Sequence, residues 1–213
     1  MSILIVTLCM IAALDCNPPD AQSREDLILG NTFFRNEYCR QNMNYFQIRL
    51  FAAFLGYITY DLTLMAIFKE GMLTPGTQEF EQFIHHMFCI YGSTAGLVCG
   101  RYLGVLMSAS LLTEVSTPCL NVYELLNLHK ATETKVYKIN AYLFFLTFFC
   151  GRVVYQFYLI AMLLIPGTIQ VDMSMDSVFM TGFTYFSAAI YPWLYFLNLF
   201  WFHKMVKAAM KFI

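Results

Sequence analysis

Residues 46–68 read FQIRLFAAFLGYITYDLTLMAIF, an apolar run that is long enough to cross a lipid bilayer as one helix. About 20 consecutive apolar residues span the hydrocarbon core, and only helices or closed barrels satisfy their backbone hydrogen bonds there. Outward from this run, further apolar runs follow at 81–99, 102–128, 139–165 and 177–203. The sequence therefore predicts an all-α, multi-pass transmembrane bundle or barrel with about five or six crossings.

The composition agrees with a membrane protein. Hydrophobic residues make up 59% of the 213 residues and charged residues only 13%, whereas soluble domains carry about 25% charged residues. The net charge of −1 provides no basic stripe for neutralising phosphates, so we expect no nucleic-acid partner. The seven cysteines form no Cys-x-x-Cys pair, so neither a zinc site nor a disulfide framework is indicated.

The chain divides into an N-terminal segment and one transmembrane domain. Residues 3–14 are apolar but too short to span a bilayer, and no basic region precedes them as it would in a signal peptide. We expect a short membrane-inserted or interfacial segment there, followed by a polar loop up to residue 45. Residues 46–213 then form the transmembrane domain.

Two basic clusters predict the topology. One lies in the loop 129–138 and the other in the C-terminal tail, and two crossings separate them (the lysines are Lys130, Lys135 and Lys138, then Lys204, Lys207 and Lys211). An even number of crossings places both clusters at the same membrane face, which the positive-inside rule makes the cytoplasmic-type face. Pro118, near the middle of the run 102–128, predicts a broken or hairpinned helix there.

Several polar side chains lie at predicted membrane depth. Ionisable groups are costly there unless they face the protein interior, so we expect His85, His86 and Glu114 to approach one inter-helical cavity. Glu81 and His85 are four residues apart and can pair on one helix face. A purely structural role, in which histidine makes inter-helical hydrogen bonds, remains open. A metal is not expected, because no His-x-x-x-His spacing occurs.

Two further charges lie deep in predicted crossings. Asp61 follows two tyrosines in the first run, and Arg152 lies inside the run 139–165. We expect Arg152 to form an ion pair with Asp61 or Glu114, because neither arginine nor aspartate is near a helix end from which it can reach water.

These residues, taken in order, resemble one family. Tyr60-Asp61 is followed by His85-His86, then Glu114-x-Ser116-Thr117-Pro118-x-x-Asn121, then Gly151-Arg152 and an aromatic last helix. This order resembles the TRAM–LAG–CLN (TLC) domain family, which includes the ceramide synthases and smaller TLC-domain proteins. The resemblance covers roughly residues 46–212.

The resemblance implies a role in lipid chemistry. In ceramide synthases the paired histidines lie in a lipid-filled helical barrel and take part in acyl transfer from acyl-CoA to a sphingoid base. The second polar stretch of the synthases is usually His-Asp-x-x-Asp, whereas Thr113, Glu114 and Thr117 occupy those positions here. This chain is therefore closer to the small non-synthase members, which are linked to membrane lipid composition.

The site predictions combine the cost of ionisable groups at membrane depth with the family resemblance. His85, His86 and Glu114 are the candidate catalytic residues, and the candidate lipid-binding residues are Tyr60, Asp61, Ser116, Thr117, Asn121 and Arg152. We expect no cofactor, with acyl-CoA as co-substrate if the chain is an enzyme. The expected partners are membrane lipids, in an endoplasmic-reticulum-like endomembrane or, alternatively, the mitochondrial inner membrane.

Three functions fit these residues. The preferred one is the binding of lipid acyl chains in an inter-helical cavity, with a role in membrane lipid homeostasis and ceramide-synthase-like acyl transfer as its catalytic form. The alternative is an accessory structural subunit of a larger membrane complex, whose partners would order the polar stretch 15–45. A proton path through Asp61, Arg152 and the histidines ranks third, since no inverted repeat is visible.

Overall fold

The computed structural model describes residues 45–210, apart from residues 71, 100–103, 105–106, 108 and 164–177. Within these residues all regular structure is helical and no strand occurs, which confirms the predicted all-α class. The helices are α1 (Tyr45–Phe68), α2 (Gln78–Cys99), a 3-10 segment (Leu111–Ser116), α3 (Thr117–Leu128), α4 (Lys135–Phe148), a π segment (Phe149–Tyr155), α5 (Gln156–Leu163) and α6 (Val178–Ala209). The predicted N-terminal segment and loop lie outside the described residues.

The helix boundaries follow local sequence signals. Within the run 102–128 the helix changes from a 3-10 segment to α3 while the backbone stays helical at Ser116 and Thr117. Pro118 occupies the first turn of α3, where a missing N–H is tolerated. The predicted loop 129–138 is too long, because Thr134 caps α4 by accepting a hydrogen bond from the Tyr137 amide. The last helix also continues past the predicted end at residue 203, to Ala209.

The long helices pack in antiparallel fashion around one apolar core. α1 and α2 form a hairpin, α6 packs against α2, and the continuous unit of α4, the π segment and α5 packs against α6. The buried core residues come from α1, α2, α5, α6 and the chain around residue 110 (Leu50, Phe51, Phe54, Ile58, Ala95, Met107, Ala109, Leu111, Leu159 and Tyr191). This arrangement brings polar side chains from distant parts of the sequence between the same helices.

The outer surface of the bundle is apolar. Large hydrophobic side chains that are exposed include Ile67, Phe68, Val136, Ile139, Tyr142, Leu146, Phe157, Trp193, Phe196 and Phe200. Two helical stretches of the described residues, Gln47–Phe68 and Lys135–Ala161, are long and apolar enough to cross a membrane. Contiguous apolar surface of this extent requires a non-aqueous neighbour, and a bilayer supplies one along the full length of the helices.

The two basic clusters lie at one end of the bundle. The Phe202 ring packs against the rings of Phe145 and Phe149, and Asn198 donates a hydrogen bond to Gln156, so the α4–α5 unit and α6 run in opposite directions. The beginning of α4 and the end of α6 therefore share one end, as the crossing count predicts. Of the predicted lysines, Lys211 lies outside the described residues.

Candidate functional site

Asp61 and His86 link α1 to α2. The His86 Nε2 atom lies 2.7 Å from Asp61 Oδ2, and the Nδ1 atom lies 2.7 Å from the Gln82 carbonyl oxygen one turn earlier. Because the carbonyl can only accept, Nδ1 carries a proton and donates. A second proton must then lie between Nε2 and Asp61, so the pair is either imidazolium with carboxylate or imidazole with carboxylic acid. In both forms the pair has no net charge, and both nitrogens of His86 are engaged.

His85, on the neighbouring face of α2, has weaker polar contacts. Its Nε2 atom lies 3.5 Å from Cys89 Sγ and 3.8 Å from Glu114 Oε1. The second distance is too long for a hydrogen bond. Its Nδ1 atom is buried and has no hydrogen-bond partner among the described residues. The ring packs edge-on against Trp201, with 5.4 Å between ring centroids. His85 is thus the histidine whose nitrogens remain available for a ligand.

A buried ion pair lies beside His85. Arg152 Nη2 donates to Glu114 Oε2 at 2.7 Å, and the Thr117 hydroxyl donates to the same carboxylate oxygen. Arg152 also donates from Nε to Ser116 Oγ at 3.1 Å and from Nη1 to Asn198 Oδ1 at 3.4 Å. The guanidinium is buried, whereas the Glu114 and His85 side chains keep 16% and 13% of their surface accessible. His85 and Glu114 are therefore less completely buried than the arginine at the centre of the network.

The backbone at Gly151 lets the π segment approach the 3-10 segment. A Cβ atom at this position would lie 2.9 Å from Val115 Cγ1, closer than side-chain carbons normally approach. Wider π-helical turns are frequent at functional sites. The close approach brings Arg152, the next residue, into contact with Ser116 and Glu114. Gly151 therefore provides the space in which the ion pair forms.

Glu81 has partners other than the predicted one. Its two carboxylate oxygens accept hydrogen bonds from Trp201 Nε1 at 2.8 Å and from Lys204 Nζ at 2.6 Å. The expected Glu81–His85 pair on one helix face is wrong, because α6 brings these two stronger donors to the carboxylate. Glu81 instead holds Trp201 against the His85 ring.

The structure brings most of the predicted site residues together. Asp61, His85, His86, Glu114, Ser116, Thr117 and Arg152 lie in one connected region between α1, α2, the 3-10 segment and the π segment. Of the two partners expected for Arg152, the structure selects Glu114. Tyr60 is 60% exposed and Asn121 is also exposed, so neither joins this region. The catalytic and lipid-binding roles given to all nine residues remain predictions.

Sequence reasoning missed three contributors. Trp201, Asn198 and Gln156 complete the hydrogen-bond network from α5 and α6. Asn198 and Gln156 are uncharged polar residues in apolar runs. The argument that was applied to ionisable groups, that buried polar atoms need partners, would have identified both of them.

Around His85, positive and negative groups balance. Three acid–base pairs adjoin the ring directly or through one residue: Glu114 with Arg152, Asp61 with His86, and Glu81 with Lys204. The arrangement can stabilise a polar group inside an apolar bundle without leaving an unpaired charge. His85 can accept or donate one proton there, and Glu114 is close enough to orient a group that binds between them.

One of three comparisons with known proteins identifies a family. The family model described as the TLC domain matches residues 2–207. Neither the comparison with curated proteins nor the comparison with solved structures gave a significant match. Because the family model covers nearly the whole chain, this protein belongs to the TRAM–LAG–CLN (TLC) domain family.

Proposed function

We propose that this protein binds a membrane lipid between its helices, with the lipid head group against His85 and Glu114, and that it acts in membrane lipid homeostasis. One observation carries the proposal: a buried Glu114–Arg152 ion pair adjoins a histidine whose Nδ1 atom has no partner in the described structure. Ionisable groups within a membrane bundle are costly even when paired, and they commonly mark a ligand or ion site. Membership of a family associated with membrane lipids also supports the lipid-binding proposal.

The lipid reaches this region from within the bilayer. Besides the two apolar stretches already named, α2 and α6 contain 22 and 32 residues, or about 33 Å and about 48 Å of helix. Both exceed the roughly 30 Å of a hydrocarbon core. These four helical stretches are fewer than the five or six crossings that the sequence predicts. The count of five or six, the endomembrane location and the cytoplasmic position of the basic end stay part of the proposal. The lipid's acyl chains would lie along the apolar helix surfaces.

The hydrogen bonds that Glu114 already accepts favour lipid binding over catalysis. One of its carboxylate oxygens already accepts from Arg152 and from Thr117. Thr117 occupies the position of the second acid in the synthase pattern. Since the guanidinium stabilises the carboxylate as an anion, Glu114 is a weak proton acceptor and serves better as a fixed hydrogen-bond acceptor for a ligand.

Acyl transfer is the second candidate, and the position of His85 supports it. Its Nε2 atom, 3.8 Å from Glu114 Oε1, can take a proton from an attacking amine or hydroxyl. His86 is unsuited to this task because Asp61 and the Gln82 carbonyl engage both of its nitrogens. An acyl-CoA would supply the acyl group.

The test compares single histidine variants of the purified protein. Lipids that co-purify with the wild type, His85→Ala, His86→Ala and His203→Ala would be identified and quantified by mass spectrometry. His203, exposed near the end of α6, is the matched control. We expect one lipid class to be lost in His85→Ala and retained in His203→Ala. If the four preparations carry the same lipids, the proposal fails and an accessory structural subunit becomes the better account.

The same preparations separate binding from catalysis. Incubation with long-chain acyl-CoA and a sphingoid base should give no product if the site only binds lipid. Product that falls by about two to four powers of ten in His85→Ala, the usual contribution of a general acid or base, would establish acyl transfer instead.

A further inference from the structure

A hydroxyl group beside the gap between His85 Nε2 and Glu114 Oε1 could bond to both atoms. The same Nε2 atom lies 3.5 Å from Cys89 Sγ, a weak contact that the hydroxyl group would have to replace. His85 Nε2 and Glu114 Oε1 are 3.8 Å apart, too far to bond to each other. An oxygen atom placed about 2.8 Å from each would have ordinary hydrogen-bond lengths to both. With the ring proton on Nε2, that oxygen accepts from His85, and its own proton goes to Glu114. A hydroxyl provides both functions through one atom.

The charges around the gap disfavour an anionic ligand. Glu114 and Arg152 neutralise each other, and Asp61 and His86 together carry no net charge. Arg152 already donates to four side chains, so a phosphate could gain its guanidinium only by displacing Glu114. A phosphate that left the Glu114–Arg152 pair intact would add an unpaired buried charge next to a carboxylate. Burial of an uncompensated ion is strongly unfavourable in proteins.

We infer that the lipid bound here has an uncharged, hydroxyl-bearing head group, which bridges His85 Nε2 and Glu114 Oε1, and that anionic phospholipids are excluded. This inference rests on the proposed lipid-binding function and adds the head-group class to it. The shared chemistry is that of a mono- or diacylglycerol or another neutral lipid alcohol. Trp201, held against His85 by Glu81, covers the ring from the α6 side.

The test uses three ligands with the same acyl chains. Purified protein in lipid nanodiscs would be loaded with dioleoylglycerol, with its methyl ether, or with dioleoylphosphatidate, and occupancy would be measured by native mass spectrometry. The ether lacks the proton that Glu114 accepts, and the phosphatidate adds negative charge. We expect dioleoylglycerol to bind about tenfold or more tightly than either, the usual scale for losing a hydrogen bond to a charged group. The inference would be overturned if the phosphatidate or the ether bound with the same affinity as dioleoylglycerol.

Variants add a second measurement on the protein side. Glu114→Gln removes the negative charge and leaves Arg152 uncompensated. The affinity for phosphatidate should therefore rise relative to the affinity for dioleoylglycerol. Glu124→Gln, at an exposed position of α3, should leave the ranking unchanged. If Glu114→Gln fails to fold, the three-ligand comparison in the unmodified protein still decides.

The outcomes separate this inference from the function it rests on. If none of the three ligands binds while some other lipid is lost only in His85→Ala, the head-group class is wrong and lipid binding stands. If no lipid depends on His85, both proposals fail.

Discussion

Replacing Arg152 with methionine should be among the most damaging single substitutions in the described part of this protein. The variant would lose four hydrogen bonds and leave the Glu114 carboxylate without its cation. Removing one partner of a buried ion pair costs about 3–5 kcal/mol. Glu114 keeps 16% of its side chain accessible, which places the expected loss of unfolding free energy near the lower figure, about 3 kcal/mol.

A second ion pair provides the matched control. Lys204 and Glu81 are 2.6 Å apart, slightly closer than the 2.7 Å of Arg152 and Glu114, but the Lys204 side chain is 49% exposed. If distance determined the contribution, Lys204→Met would be the worse variant. Because the Lys204 ammonium is half exposed and Glu81 keeps its hydrogen bond from Trp201, we expect that variant to lose less than about 1 kcal/mol.

Unfolding by denaturing detergent in mixed micelles would measure both variants and the double variant Glu114→Gln/Arg152→Met. The double variant leaves neither charge of this pair buried, so it should recover about 1–3 kcal/mol relative to Arg152→Met. The reasoning is refuted if Arg152→Met is no worse than Lys204→Met, or if the double variant is no more stable than Arg152→Met.

Two further predictions concern the glycine contact and the topology. Gly151→Val should lower the unfolding free energy by about 1–3 kcal/mol, since its Cβ would collide with Val115. Gly182→Val is the control, because a Cβ there would have no described atom within 4 Å; equal losses in the two would contradict this account. Cysteines introduced at Thr132 and Ala208 should react with a membrane-impermeant maleimide from the same side of sealed vesicles, because both positions lie at the basic end of the bundle. Labelling from opposite sides would exclude the predicted topology.

The free-energy cost of ionisable groups at membrane depth was enough to identify the site residues from the sequence, but not to predict which of them pair with each other. The expense of ionisable groups at membrane depth singles out His85, His86, Glu114 and Arg152 from the sequence alone. The choice of Glu114 over Asp61 as the partner of Arg152 depends on the π segment, whose geometry is set by packing against the 3-10 segment rather than by a sequence pattern.

The spacing of residues on one helix does not predict a side chain's partner where a helix distant in sequence donates to the same side chain. Glu81 and His85 have the separation that favours pairing on one helix, a contribution of only about 0.2–0.5 kcal/mol. Trp201 and Lys204, more than a hundred residues further along the chain, each donate a charge-assisted hydrogen bond to the carboxylate. Charge-assisted bonds are roughly twice as strong as neutral ones. Such donors cannot be inferred from the sequence around Glu81.

The two adjacent histidines therefore should not be treated as one catalytic unit. Successive residues of a helix point about 100° apart, and this divergence sends His86 to Asp61 on α1 and His85 to Glu114 and Trp201. A double alanine variant would remove the partly buried α1–α2 link together with the candidate ligand contact, so a loss of activity in it would not distinguish unfolding from lost chemistry. Single substitutions do distinguish them: His86→Ala should weaken the fold, whereas His85→Ala should spare the fold and change what the protein binds.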